Sequence, residues 1–527
     1  MKQKAGKFSF YFAGATYLVY GILFLTLTVR LIGADSAPAF APLSIAGILI
    51  LLAIAVWMLQ KHAVVISRIY RPILLIFLVV MFAVQLTLAE ALRFEPDWDL
   101  EAVFAGAIQW AETGSFTDYQ EYFYFFPNNL GSLTFLAVIF RIAYAVGITD
   151  YFMVAAVTNS LLACLAVLTT AAFCQRLLGA EHALFTLLLI AVYPPIWFIG
   201  PAFYTDSMSI LFPVLILYLY CRVLEGNSWR RTILWAIILG AAAAAGALIK
   251  ATVLIMVVAV VIDALVRHRL KLAGILAAVS ALLVVAGFIC LNVAVYPTHL
   301  NKETANEINT PYLHWIMMGL QGDGGYNAED YEFSRSFPNT ETRDDALREE
   351  IHRRMNELGP SGLYRLFWTK TLRTFGSGTL QQSDFLDDRP AKRTELHEYL
   401  LYDGMYYDIY RGTCSVIFTA VLVLAAISGI QEVFGRRRQT NGRVSTPLKR
   451  SSAETIIQNT WNCLAPRLAL LGVVLFFAAW ETSGRYITNY VPVIILCGVM
   501  GATSWQRWLV SLVRDSVFSR YRDKSCD

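Results

Sequence analysis

Apolar and polar positions in this chain alternate on the scale of whole helices. Apolar runs such as 152–174, 272–295 and 414–434 reach the ~20 residues that carry a helix across about 30 Å of hydrocarbon. The pattern predicts thirteen candidate spans, at 8–29, 42–59, 73–91, 131–147, 152–174, 183–200, 207–224, 232–249, 252–266, 272–295, 411–434, 468–482 and 488–504. The first, Phe8 to Val29, is long and lacks a clear cleavage site, so it reads as a retained span and not as a signal peptide. Two polar stretches interrupt the series, 93–130 and 296–410. In the second, Asp344 to Leu358 reads as an amphipathic helix with Leu347, Ile351, Met355 and Leu358 on one face and a Gly359-Pro360 stop. Gly362 to Phe375 mixes Tyr364, Phe367 and Trp368 with Arg365, Lys370 and Arg373, which suits a helix lying in the membrane interface.

Composition agrees with an all-α polytopic membrane protein: 57% of residues are hydrophobic and 16% charged, against roughly 25% charged in a soluble domain. The net charge of +4 matters less than its placement. Basic residues mark the cytoplasmic side: Lys2, Lys4 and Lys7; Lys61, Arg68 and Arg71; Arg222, Arg230 and Arg231; Arg267, Arg269 and Lys271; the loop 435–466; and the tail Arg514, Arg520, Arg522 and Lys524. These marks agree only with an even number of crossings. The short segment 131–147, which carries Arg141, is therefore expected to be a re-entrant or surface helix, leaving twelve crossings and both termini in the cytoplasm. The acidic loop 93–130, Asp206 and a mainly helical loop 296–410 then share the extracytoplasmic face. The expected organisation is a transmembrane module 1–295, the extracytoplasmic loop domain 296–410, and a transmembrane region 411–527 with the basic linker 435–466.

Several chemistries drop out. The eight cysteines avoid the largest polar loop, so no disulfide framework or zinc site is indicated. There is no phosphate loop, no HExxH motif, and no α/β pattern that would let an Asp-rich triplet serve a nucleotide. Asp323-Gly324-Gly325-Tyr326-Asn327 lacks the ligand spacing of a calcium loop and reads as a turn.

What remains is the sequence Glu95-Pro96-Asp97-Trp98-Asp99-Leu100-Glu101, four carboxylates beside an apolar segment, followed by the aromatic run 119–127 and Asn128-Asn129. Carboxylates near a bilayer are costly and mark function. Outside a cell membrane no nucleotide pool supplies activated sugars, so synthesis there draws on a lipid-linked donor. Such a site needs a base for an acceptor hydroxyl, cations for a phosphate and a groove for the lipid. Asp97 and Asp99, two apart, would point to different faces of a helix, so one of them is the candidate base. Lys250 and Arg485, at the outer ends of spans, are candidate phosphate cations; snorkelling to the interface is the alternative reading of each.

The order of these features resembles the GT-C membrane glycosyltransferases, specifically the bacterial relatives of protein O-mannosyltransferases and lipid A aminoarabinose transferases. The resemblance rests on Asp99 with Gly114 about fifteen residues on, Phe125-Phe126-Pro127-Asn128-Asn129, the Arg-Leu-Leu-Gly turn 176–179, Tyr193-Pro194-Pro195 leading to Tyr204-Thr205-Asp206, Leu248-Ile249-Lys250-Ala251, and Arg485-Tyr486 with Pro492. It covers about 73–265 well and 480–500 weakly. It implies a GT-C fold with Asp99 as catalytic base, Asp206 as a second acidic site residue, and Lys250 with Arg485 on the donor phosphate. Glu101, Asn128, Asn129 and Tyr204 are the substrate-binding candidates. The family's acidic residue after the first Asp is Leu100 here, which argues against a metal site built from it and leaves Asp97 as a rival base.

The resemblance further implies a sugar transfer from a polyprenyl-phosphate donor to an envelope glycan, lipid or protein acceptor. It would proceed by a single inverting displacement on the outer face of the cytoplasmic membrane. The partners are then the donor, the acceptor and membrane lipids, with no nucleic acid. No cofactor is required by this chemistry, although it leaves room for a divalent cation. A polymerase or ligase of lipid-linked saccharides is the nearest rival. A flippase or other transporter would predict mid-membrane charges and internal repeats, neither of which the sequence shows.

Overall fold

The structure is a computed structural model that describes residues 2–34, 40–226, 228–337, 339–386, 389–440 and 464–523, with backbone alone for 2–7, 435–440 and 511–523. The chain is an all-α, multi-pass membrane protein. Among the described residues the one strand-like pairing is an isolated bridge, Phe94 to Pro390. Nine helices among the described residues are long and apolar enough to cross a membrane, and three shorter apolar ones accompany them, Ala180–Val192, Ala251–Val266 and Ala465–Ala479. The helix Leu130–Ala145 meets the limb Thr117–Phe125 at 115°. That bent pair is where the expected re-entrant segment falls.

Some boundaries differ from hydropathy for physical reasons. The expected connection carrying Arg68 and Arg71 shrinks to His62, because the helix Ala63–Ala91 starts early and runs through Pro72. Segment 183–200 is helical only to Val192, since Pro194 and Pro195 cannot continue the ladder. The amphipathic helix and its neighbour are two limbs of Thr340–Phe375, broken at Gly359 (φ 54°). Leu347 is buried against Leu313 and Met317, but Met355, expected on the same inward face, is 43% exposed. Most of the basic loop 435–466 lies outside the described residues, as do Lys524, Cys463 and Cys526.

The three short helices matter for function. Thirteen residues of helix span about 20 Å, less than the roughly 30 Å of hydrocarbon. Each short helix therefore hands over to irregular backbone at one end, below the depth a full span would reach. Such backbone is tolerated in a membrane only where protein satisfies its polar groups or where it lines a cavity. Here buried side chains do so. Gln85 donates to Ile196 O (2.7 Å), Asn159 to Ile199 O (2.6 Å), Gln382 to Pro195 O (2.7 Å) and the Tyr490 hydroxyl to Thr252 O (2.9 Å). Close helix crossing helps at Gly131, where any Cβ would collide with the Leu248 carbonyl. That contact seats the helix Leu130–Ala145 against the end of Trp229–Ile249, one residue before Lys250.

Candidate active site

The irregular segments after Val192 and Ala479 and before Leu254 converge on the acidic loop. The chain enters the helix Trp98–Thr113 through Trp98 at φ 49°, a left-handed turn costly for a bulky residue. The turn separates the two rival carboxylates. Asp97 stays outside as the N-cap, accepting from Trp98 N (2.8 Å) with Arg389 at 3.4 Å. Asp99 lies in the first helical turn and faces inward. Gly114, at φ 85°, closes this helix in the left-handed conformation.

Asp99 sits in a cage. The Tyr122 hydroxyl donates to Oδ1 (2.8 Å) and the Tyr204 hydroxyl to Oδ2 (3.2 Å). Asn129, 4% exposed, donates from Nδ2 to both phenols, at 2.5 and 3.3 Å. The amide thus orients two hydroxyls, and the hydroxyls fix both carboxylate oxygens. A carboxylate has about four acceptor positions, so room remains for a proton from a third hydroxyl.

Tyr204 also borders the cations. The Arg485 guanidinium lies over its ring at 5.3 Å, and over Phe385 and Tyr486 at 5.4 and 5.5 Å. Arg485 Nε is 3.8 Å from Asp206 Oδ2, and Lys250 Nζ donates to Asp206 Oδ1. Arg485 donates no hydrogen bond to another described residue, so its fork is uncommitted. Two cations share one buried carboxylate. Glu481, 4% exposed, accepts from the Tyr486 hydroxyl (2.8 Å).

The structure thus brings together Asp99, Asn129, Tyr204, Asp206, Lys250 and Arg485 in one network. It does not bring Asp97 or Glu101 into it, and Glu101 is exposed. Asn128 is exposed and joins only at the edge, donating to Asn129 Oδ1 (3.3 Å). Of the cations in the expected interfacial helix, Lys370 is buried on the carbonyls of Gly319 (2.8 Å) and Ala478 (3.0 Å), and Arg373 pairs with Asp323. Sequence reasoning missed Tyr122, which lay unremarked in the aromatic run, and Glu481, whose signal was a carboxylate four residues before Arg485. No cluster of three or more His, Cys, Asp or Glu side chains suited to a metal occurs among the described residues.

The model of a family described as "conserved hypothetical integral membrane protein" matches residues 7–438. None of the curated proteins matches the chain. Among solved structures it is similar to the crystal structure of ArnT from Cupriavidus metallidurans bound to undecaprenyl phosphate. The identity is 13% and the TM-score 0.34, over 81% of this chain and 77% of that one. It is also similar to the archaeal oligosaccharyltransferase AglB from Archaeoglobus fulgidus, in complex with an inhibitory peptide and a dolichol-phosphate. There the identity is 11% and the TM-score 0.33, over 79% of this chain and 57% of that one.

Proposed function

The chain belongs to the family of conserved hypothetical integral membrane proteins, and we propose that it is a GT-C-type glycosyltransferase using a polyprenyl-phosphate-linked sugar. The acceptor is an envelope glycan or lipid-linked saccharide on the extracytoplasmic side. The observation that carries this reading is the juxtaposition at Tyr204, whose hydroxyl donates to Asp99 and whose ring lies against Arg485. A base and a cation thus flank one phenol, as a displacement at a phosphate-bound sugar requires.

The step is written from these groups. Asp99 takes the proton of the acceptor hydroxyl as its oxygen forms the bond to the anomeric carbon. The bond from that carbon to the phosphate oxygen breaks with inversion, and its electron pair leaves on polyprenyl phosphate. Charge grows on that phosphate in the transition state, and Lys250 and Arg485 are already positioned to meet it. The short helices support the same reading, because the irregular segments at their ends carry Tyr204, Lys250 and Arg485, and a donor phosphate whose tail stays in hydrocarbon needs its contacts beside such breaks.

Radiolabelled polyprenyl-phosphate sugars, offered one at a time to the purified chain with crude envelope lipid, test the proposal. Label should move to an acceptor with release of polyprenyl phosphate. Arg485→Gln should lower that transfer roughly ten- to hundredfold, as expected for one charge-assisted contact. Failure of the wild-type chain to consume any donor would overturn the proposal.

A further inference from the structure

A continuous row of aromatic rings leads from a helix end to the cage around Asp99. Phe476 stacks on Trp480 (5.2 Å between ring centres, 21° between planes), and Trp480 on Trp315 (6.5 Å, 20°). Trp315 meets Phe126 at 6.2 Å, and Phe126 in turn meets Tyr331 at 6.2 Å and Tyr122 at 5.1 Å. Tyr122 is the phenol that donates to Asp99. The row draws on widely separated parts of the sequence, and backbone hydrogen bonds clamp those parts together. Thr310 N donates to Phe125 O (2.8 Å), Glu481 N to Trp315 O (3.0 Å) and Thr482 N to Gly324 O (2.8 Å).

This row is not the core of the segment 296–410, which lies around Leu313, Met317 and Leu347. Trp315, Phe126, Tyr331 and Trp480 are each only half-buried. Polar groups border them. The Arg335 guanidinium lies over Phe125 at 3.9 Å and over Tyr331 at 5.1 Å, and Asn128 is exposed beside Phe126. Tyr326, 55% exposed, is close enough to Tyr331 and Asp99 for their charges to add to burial in raising its phenol.

We propose that this row is the acceptor shelf and that the acceptor is a carbohydrate, which deepens the function proposed above and rests on it. The C–H bonds on one face of a pyranose carry small positive charge and meet the negative face of an aromatic ring. The hydroxyls around the sugar's edge suit Arg335, Asn128 and Tyr326, an apolar platform with few polar contacts. A chain of sugars laid along the row delivers its terminal hydroxyl to Asp99.

The test compares acceptors at saturating labelled donor: saccharides released from envelope lipids, and a Ser/Thr-rich peptide. Trp315→Ala and Tyr326→Ala should each raise the saccharide KM roughly three- to tenfold, with donor KM changed by less than about twofold. Trp315→Phe should restore most of the loss. Tyr326 is exposed, so its variant reads the shelf even where Trp315→Ala fails to fold. Donor consumption with unchanged saccharide KM in Tyr326→Ala and Trp315→Ala would overturn the shelf alone, as would transfer to the peptide in preference to the saccharide. A wild-type chain that consumes no donor would overturn the underlying function and the shelf with it.

Discussion

Lys250 donates to Asp206 across 44 residues of sequence, and Arg485 Nε lies 3.8 Å from the second oxygen of the same carboxylate. Asp206 is 2% exposed and occupied by cations. Its geometry suits holding Lys250 and Arg485 in place, while Asp99, half-buried and bonded only by neutral hydroxyls, is placed to receive a proton.

That division of labour gives a double-variant test. Asp206→Asn alone leaves Lys250 and Arg485 without the carboxylate they share, at a cost of about 3–5 kcal/mol. The combined variant Lys250→Gln/Asp206→Asn leaves only Arg485 without that partner and should recover part of the lost thermal stability. Donor binding should stay weak in the combined variant. If it titrates donor like the wild type, Lys250 contributes only to folding.

The segment 296–410 carries a pH-sensitive histidine. His314 is 1% exposed, its Nδ1 lies 2.6 Å from Ser334 Oγ, and burial pushes its pKa down to about 4. Its unfolded pKa is about 6.5. Between those values the unfolded state binds more protons, so stability rises with pH and is lost as pH falls from about 6.5 toward 4. The full loss is roughly 3 kcal/mol. Hydrogen exchange across 312–335 should accelerate over that window in the wild type, and His314→Asn should flatten the dependence. An equal acid response in both would assign it to other groups.

Gly131→Ala tests the seat of the site. A Cβ there collides with the Leu248 carbonyl, backbone that has nowhere to go. The substitution should destabilise the chain by at least about 1–3 kcal/mol, the usual range for overpacking. It should also lower transfer beyond what the stability loss explains, because Lys250 follows Leu248 by two residues. Gly47→Ala, inside the helix Ala41–Lys61 with nothing within 4 Å of the added atom, should leave transfer unchanged and hold or slightly raise the melting temperature.

Much of the bundle was legible in the sequence because a membrane imposes one rule on every span. The long apolar helices and the break at Gly359 follow from composition, proline and glycine alone. The handover points were less legible. Hydropathy carried 183–200 through Pro194 and Pro195, although those prolines were the signal to stop. Within the site, Asp99, Lys250 and Arg485 stood out as charges beside apolar runs. Tyr122 and Trp315 did not, because one tyrosine among many aromatics gains meaning only when the fold points it at a carboxylate.

Single-turnover transfer from labelled polyprenyl-phosphate sugar, measured in Asp99→Asn and Asp97→Asn beside the wild type, bears most directly on the central claim. The amide keeps the shape of Asp99 and an acceptor oxygen for one of its two phenols but accepts a proton poorly. Asp99→Asn should therefore bind donor and melt like the wild type, yet release polyprenyl phosphate at least about a hundredfold more slowly. Asp97→Asn, which disturbs only a helix cap and an exposed pair with Arg389, should stay within about threefold of the wild type. Wild-type release by a folded Asp99→Asn chain, or a larger loss in Asp97→Asn, would contradict the assignment of the caged carboxylate as the base.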